Sequence, residues 1–127
     1  MLMQSIAPKE FLKTSNEIPI LDVRSPSEFA TGHLPSAISF PIFSDNERAV
    51  IGTLFKKEGP KPATKKGLGI VGPKLVDFIE QAEKLGVAEF RMYCWRGGMR
   101  SQSMATLLES YGFKVVLLKG GYKAYRN

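Results

Sequence analysis

Short apolar runs alternate with segments of helical periodicity along this chain. The apolar runs, typical of buried strands, occupy residues 18–23, 37–40, 90–94 and 115–118. Two kinds of signal predict helices: apolar residues spaced three or four apart, and residue types that favour a helix start. One or both occur in residues 8–13, 26–30, 47–55, 75–85 and 101–111. Strands that alternate with helices predict an α/β domain with a mostly parallel sheet and helices on both faces.

Local signals predict where individual helices begin, end and face the core. Ser44 and Glu47 have the spacing of a capping box, so a helix is expected to follow. Its apolar side would consist of Val50, Ile51, Leu54 and Phe55. The inward side of the helix in 101–111 would consist of Met104, Leu107, Leu108 and Tyr111. Residues 58–66 contain one glycine and two prolines and are predicted to form a loop.

Length and composition predict one soluble domain. The chain has 127 residues, of which 43% are hydrophobic and 24% are charged. No apolar run approaches the ~20 residues that a membrane-spanning helix needs. Residues 1–6 are too short and too polar a start for a signal peptide. We therefore expect a single domain over residues 1–127 in the cytoplasm, with no membrane partner.

The positive charge is concentrated at one end of the sequence. Residues 1–90 carry equal numbers of basic and acidic side chains. Residues 91–127 carry seven basic side chains against one acidic side chain, which supplies the whole net charge of +6. Such a field favours an anionic ligand or a nucleic acid, whereas surface lysines that only aid solubility would give the same count.

The only cysteine, Cys94, lies in this basic region, at the end of a predicted strand. A single cysteine excludes an internal disulfide, and a single histidine leaves a Cys/His zinc site without enough ligands, so no metal is expected. In α/β sheets, ligands bind beyond the carboxyl ends of the strands. Cys94 is therefore either a buried structural residue or a reactive group at such an edge.

The sequence from Cys94 to Ser101, C-W-R-G-G-M-R-S, favours the reactive alternative. The glycine pair Gly97 and Gly98 allows positive φ, so that successive N–H groups can surround an anion. A helix that begins near Met99 adds the positive end of its dipole, and Arg100 adds a planar fork that matches an oxyanion. Such surroundings favour the thiolate form of cysteine. We predict that Cys94 is a nucleophile at the base of an anion-binding loop.

Three further loop residues have functional interpretations, and two of them, Trp95 and Ser101, also have a structural one. Trp95 and Arg96 are candidates for the mouth of the site, where an aromatic ring could stack on a base and an arginine could contact phosphate. Packing of Trp95 on the rim of the domain is the alternative. Ser101 could donate a hydrogen bond to the thiolate or simply help the helix to begin.

Three segments, in order, resemble the rhodanese family. They are residues 22–29 followed by 32–37, the cysteine loop after a strand, and residues 118–122 followed by 124–125. The resemblance implies a five-stranded parallel sheet and a cysteine that carries sulfur or selenium as a persulfide-type adduct. In this setting we interpret His33 as structural, and Asp22 and Arg24 as a buried ion pair that supports loops near the site.

A closer resemblance is to the amino-terminal domain of the bacterial tRNA 2-selenouridine synthase family. It rests on residues 94–101 together with residues 43–49, 52–56 and 71–74. It implies replacement of sulfur by selenium at a 2-thiouridine in the tRNA anticodon. Selenophosphate would be the donor substrate, with no cofactor bound to this domain. The same resemblance implies a geranylated tRNA as an intermediate.

That family continues into a P-loop domain, whereas the motif G-x-x-x-x-G-K-S/T does not occur in this chain. We therefore expect an excised domain or one half of a split enzyme. The tRNA would be bound by the basic region 91–127 together with a P-loop domain outside this chain. The isolated domain is expected to be an incomplete transferase.

Three other functions remain open from the sequence. A generic thiosulfate-type sulfurtransferase would use the same cysteine. Residues 94–101 also match C-x5-R-S, the loop of phosphatases and arsenate reductases, which would need a general acid that no aspartate obviously supplies. A noncatalytic module would bind an anion or tRNA in the same loop without covalent chemistry.

Overall fold

The computed structural model, which describes residues 4–13 and 17–126, contains one five-stranded sheet. Its strands are β1 (Gln4–Ile6), β2 (Ile20–Asp22), β3 (Ile38–Ser39), β4 (Glu89–Tyr93) and β5 (Lys114–Leu118). They lie in the order β1-β5-β4-β2-β3, and every neighbouring pair is parallel. Residues 1–3, which open the segment interpreted as too polar for a signal peptide, lie outside the described residues.

Helices connect and cover the strands. They are α1 (Pro8–Lys13), α2 (Pro26–Thr31), α3 (Asp45–Glu58), α4 (Pro60–Val71), α5 (Leu75–Glu83), α6 (Met99–Tyr111) and α7 (Gly121–Arg126). A short 3-10 turn, Gly72–Lys74, joins α4 to α5. None of the helices in the described ranges has both the length and the hydrophobicity that crossing a membrane requires.

The central strands β2, β4 and β5 are buried on both faces, where alternate residues point to opposite sides and pack under helices. On one face, Phe90 and Met92 of β4 pack in a cluster with residues of α5 and α6. On the other face, Tyr93 packs in a second cluster with Phe11 of α1 and Leu118 of β5. The predicted parallel α/β fold with helices on both faces is therefore confirmed.

The prediction of a loop over residues 58–66 is wrong, because α4 begins at Pro60. Gly59 makes the turn from α3 with a φ of 91°. Pro60 and Pro62 then lie in the first helical turn, where backbone N–H groups have no intrahelical partner and proline costs little. The buried side of α4 includes Ala63 and Gly67.

Two of the predicted apolar faces are also partly wrong. The capping box at Ser44 is present, since its hydroxyl accepts a hydrogen bond from Glu47 N at 3.2 Å. However, Val50 and Phe55 of α3 are 48% and 55% exposed, because α3 packs against α4 outside the main layers. Tyr111 at the end of α6 is likewise exposed, and its hydroxyl donates to Glu83 at 2.9 Å.

Candidate active site

Cys94 lies directly after β4, at the carboxyl edge of the sheet, and its side chain is buried. Its Sγ lies 3.1 Å from the Oγ of Ser101, which is fully buried in the first turn of α6. The Ser101 hydroxyl also lies 3.2 Å from the carbonyl oxygen of Gly98, to which it can donate. When the sulfur is a thiolate, the same hydroxyl can donate to it instead, because a thiolate only accepts.

The start of α7 holds the cysteine loop in place. The backbone N–H of Tyr122 donates to the carbonyl oxygen of Cys94 at 2.8 Å, and that of Lys123 donates to Trp95 at 2.9 Å. Gly121 has a φ of +63°, and a Cβ there would lie 2.6 Å from both carbonyl oxygens. The close approach of α7 to the loop therefore requires glycine at this position.

Within the loop, the two glycines have different roles. Gly97 has a φ of +74° and would place a Cβ 3.5 Å from the backbone of the chain segment that leads into α7. Gly98 instead precedes α6 with a φ of −92°, so only one of the pair uses the left-handed region. The predicted helix start at Met99 is confirmed.

Arg100, predicted to bind the anion, is engaged with Glu28 of α2. Its Nη1 lies 2.7 Å from Oε1, and its Nη2 lies 3.4 Å from Oε2. Glu28 Oε1 also accepts hydrogen bonds from the N–H and the hydroxyl of Ser25. Burial alone would raise the pKa of Glu28, but Arg100 and Ser25 outweigh it and lower that pKa. Arg100 thus joins α6 to α2 at the edge of the site.

Asp22 and Arg24 form the buried ion pair that the sequence suggested, with 2.8 Å between Oδ2 and Nη2. The guanidinium also donates to the carbonyl oxygen of Gly32 at 2.6 Å and lies 4.3 Å from the ring centroid of Tyr122. Burial and the hydrogen bond to Asp22 raise the pKa of Tyr93 beside the pair. The pair therefore ties the loop after β2 to α7, which in turn holds the cysteine loop.

His33 lies just after α2 and is exposed. Its Nδ1 is 2.8 Å from the carbonyl oxygen of Phe29, and the two rings stack with centroids 3.8 Å apart. It does not line the pocket beside Cys94. These contacts agree with the structural interpretation of His33.

A pocket of about 510 Å³ opens beside Cys94. Three arginines line it: Arg48, Arg96 and Arg100. An apolar wall from α3, α4 and the chain before them includes Phe43, Ile51, Phe55, Ala63, Leu68 and Val71. No carboxylate is among the described residues that line it. The arrangement combines a nucleophilic sulfur, positive charge and a hydrophobic surface.

Trp95 and Arg96 both line this pocket, as predicted for the mouth of a site. Trp95 is half-buried, and the Arg126 guanidinium lies 5.7 Å from its ring centroid. Arg96 is exposed. Trp95 therefore packs on the rim while part of its surface remains available to a ligand.

Glu28 and Arg48 are residues of the site that the sequence did not predict. Glu28 follows Ser25 at capping-box spacing, so the signal that identified Ser44 and Glu47 was present in the sequence. No comparable signal marks Arg48, since an arginine on an amphipathic helix normally faces solvent. Its place beside Cys94 depends on how α3 folds over the end of the sheet.

The sequence model of the rhodanese-like domain family matches residues 7–127. The tRNA 2-selenouridine synthase of Sulfurovum sp. is 41% identical over 115 residues, which cover 88% of this chain and 32% of that protein. The tRNA 2-selenouridine synthase of Bdellovibrio bacteriovorus is 37% identical over 131 residues, covering 100% and 35%. The chain thus spans about a third of the length of these relatives.

Solved structures share the fold. The N-terminal domain of a putative ATP/GTP binding protein from Clostridium difficile 630 superposes with a TM-score of 0.90 and 40% identity, covering 98% of this chain and 97% of that chain. A human single-domain sulfurtransferase superposes with a TM-score of 0.57 and 20% identity, covering 98% and 96%. The second likeness concerns the fold alone.

Proposed function

Because the chain belongs to the rhodanese-like domain family, we propose that it transfers sulfur or selenium with Cys94 as the atom-carrying nucleophile. The observation that carries this proposal is the position of Cys94. Its sulfur lies at the base of a pocket lined by three arginines, with the Ser101 hydroxyl 3.1 Å away. This setting suits a thiolate that meets an anionic donor.

The chemical step is a displacement at a chalcogen atom. With thiosulfate, the Cys94 thiolate attacks the outer sulfur, a new S–S bond forms, and the S–S bond of the donor breaks. Sulfite leaves with the electron pair of that bond, and Cys94 is left as a persulfide. Positive charge beside the sulfur would stabilise the negative charge on the departing oxyanion.

We propose selenophosphate as the donor and tRNA as the acceptor of the selenium. Selenophosphate carries its selenium on a tetrahedral oxyanion, so its charge is complementary to that of the pocket. The proposal is supported by the two relatives at 41% and 37% identity, both named tRNA 2-selenouridine synthase. The product would be a 2-selenouridine formed from 2-thiouridine.

The hydrophobic wall fits the same proposal. A donor anion and a uracil ring would not need the apolar surface that Phe55 and Leu68 leave exposed beside the pocket. The geranyl group of a geranylated tRNA is apolar and would gain about 25 cal/mol for each Å² of apolar surface it buries there.

A nucleotide-binding domain would complete the enzyme. The structure that superposes at 40% identity is the N-terminal domain of a putative ATP/GTP binding protein. That name supports a P-loop domain acting together with a domain of this kind. The tRNA would then contact both.

The phosphatase alternative has weaker support from the site. The arginine at the end of the C-x5-R loop is paired with Glu28, whereas a phosphatase would need it for phosphate. A phosphatase also needs a general acid, and the described pocket lining contains no carboxylate. Chalcogen transfer needs neither an unpaired Arg100 nor a general acid.

The deciding experiment is mass spectrometry of the intact protein and of its Cys94 peptide. Incubation with thiosulfate should add one sulfur atom at Cys94 and release sulfite. When selenophosphate is then added to the persulfide form, hydrolysis gives selenide and phosphate, selenide attacks the inner sulfur, and hydrosulfide leaves, so that selenium replaces the outer sulfur. The Cys94→Ser variant should gain neither. Absence of any adduct, together with phosphate release from an aryl phosphate, would replace the proposal with the phosphatase. A Cys94→Ser variant that supports selenouridine formation in cells would establish a binding module.

A further inference from the structure

The three arginines that line the pocket differ in what they contact. Arg100 has both Nη atoms on the carboxylate of Glu28. Arg96 is exposed on the loop, where water weakens any ion pair it makes. Arg48 is half-buried on α3, and within residues 4–13 and 17–126 its guanidinium has no ion pair or side-chain hydrogen bond. Arg48 is therefore the partly desolvated cation without a counterion.

The electrostatic surroundings of Arg48 favour the binding of an anion. Burial and the nearby Arg100 guanidinium lower the pKa of Arg48, while Glu28 and Cys94 act in the opposite direction. Arginine nevertheless remains protonated at neutral pH. A cation that has lost part of its hydration and lies near a second cation is stabilised when an anion binds beside it.

We propose that Arg48, rather than Arg100, binds the oxyanion of the donor substrate beside Cys94. The ligand class is a tetrahedral oxyanion that bears a terminal chalcogen, as in thiosulfate or selenophosphate. The planar guanidinium can donate two parallel hydrogen bonds to two oxygens of such an anion. The identity of the donor rests on the proposed function, whereas the binding of an oxyanion by Arg48 does not depend on it.

The sulfur, the anion-binding cation and the supporting ion pair would then come from different elements of the fold. The loop after β4 supplies the sulfur, α3 supplies the anion-binding cation, and the ion pair between Arg100 and Glu28 holds α6 against α2. The cysteine loop alone would then not define which donor is used. Residues of α3 would contribute to that choice.

The first test measures sulfate binding to the Cys94→Ser protein by NMR titration, so that no chemistry takes place. Adding Arg48→Gln should weaken sulfate binding about tenfold or more, since a charge-assisted hydrogen bond is removed. Lys56→Gln is the matched control, because it removes one positive charge from the exposed end of the same helix. It should leave sulfate binding unchanged.

The second test measures thiosulfate turnover with a thiol acceptor. Arg48→Gln should raise KM about tenfold with a smaller change in kcat. Arg48→Lys, which keeps the charge but loses the fork, should recover part of the lost affinity and serves if the glutamine variant does not fold.

Sulfate binding that survives both Arg48 substitutions but is abolished in Arg100→Gln would overturn the inference. If Arg48→Gln abolishes sulfate binding while no donor modifies Cys94, the proposed function fails and the role of Arg48 in binding stands.

Discussion

The hydroxyl of Ser101 is the only side-chain oxygen within hydrogen-bonding distance of Cys94 Sγ among the described residues, at 3.1 Å. It is fully buried, so water does not compete for it. Its second contact, the carbonyl oxygen of Gly98, only accepts hydrogen bonds. The hydroxyl can therefore move its proton from the carbonyl to the sulfur when the thiolate forms. This geometry is the one that a hydrogen bond from Ser101 to the sulfur requires.

Ser101→Ala should slow the alkylation of Cys94 by iodoacetamide at neutral pH by about tenfold, since a hydrogen bond to a charged group contributes about 1.5–3 kcal/mol. Ser110→Ala, on the exposed side of the same helix, is the matched control. Equal rates for both variants and the unmodified chain would mean that Ser101 only supports the helix.

Glycine at position 121 shows how one residue positions the whole loop. Gly121→Ala would place a Cβ 2.6 Å from the carbonyl oxygens of Cys94 and Trp95, at a φ of +63°. Gly86→Ala is the control, because Gly86 has a φ of +71° but nothing within 4 Å of its Cβ position. Both variants should lose about 1–2 kcal/mol of unfolding free energy from the positive φ. In urea unfolding, Gly121→Ala should lose more unfolding free energy than Gly86→Ala. It should also slow sulfur transfer, which Gly86→Ala should not.

At the level of elements, α2 and α6 are joined by the ion pair between Glu28 and Arg100. The pKa of Glu28 is lowered in the folded protein from its ordinary value of 4.5. Its contribution to stability is therefore complete above that value and is lost as the pH falls through the lowered one. The pair links folding stability to pH on the acidic side of neutrality.

Glu28→Gln should reduce the unfolding free energy at neutral pH and have progressively less effect as the pH is lowered below 4.5. Arg100→Gln removes the same pair from the other side, so the two effects should not add in the double variant. Urea unfolding at a series of pH values measures both. Additive losses, or a difference that does not shrink in acid, would show that the pair does not act as described.

The sequence predicted the elements whose signals are local. The capping box at Ser44, the strand before Cys94 and the helix start at Met99 all depend on neighbouring residues, and all are present. The helix at Pro60 was missed because prolines in a first turn and prolines in a loop have the same local pattern. Only packing against α3 distinguishes the two.

At the site, too, residues with local signals were predictable and residues placed by tertiary contacts were not. Cys94 and its loop are contiguous in sequence, so their chemistry could be predicted together. Arg48 and the apolar wall belong to α3 and α4, whose position over the carboxyl edge depends on tertiary contacts. The partner of Arg100 lies 72 residues away in sequence, so its engagement with Glu28 had no local signal.

Across the whole molecule, the basic residues of 91–127 do not form one surface. Arg91 is buried within β4, and Lys114 begins β5 at the amino edge of the sheet. Lys119 follows β5 at the carboxyl edge, and Lys123 and Arg126 lie on α7 beside the cysteine loop. The charge that a tRNA would meet at the site is therefore smaller than the net charge of +6 indicates.

If tRNA approaches the carboxyl edge, charge removed there should matter more than charge removed elsewhere. The double variant Lys119→Gln/Lys123→Gln should weaken tRNA binding and lower the slope of log K against log salt by up to about two, one for each phosphate that a lysine no longer neutralises. Lys84→Gln/Lys114→Gln removes the same charge near the amino ends of β4 and β5 and should change the slope much less. Filter binding at several salt concentrations gives both slopes. Equal slopes for the two double variants would show that tRNA responds to net charge alone and does not dock at the cysteine edge.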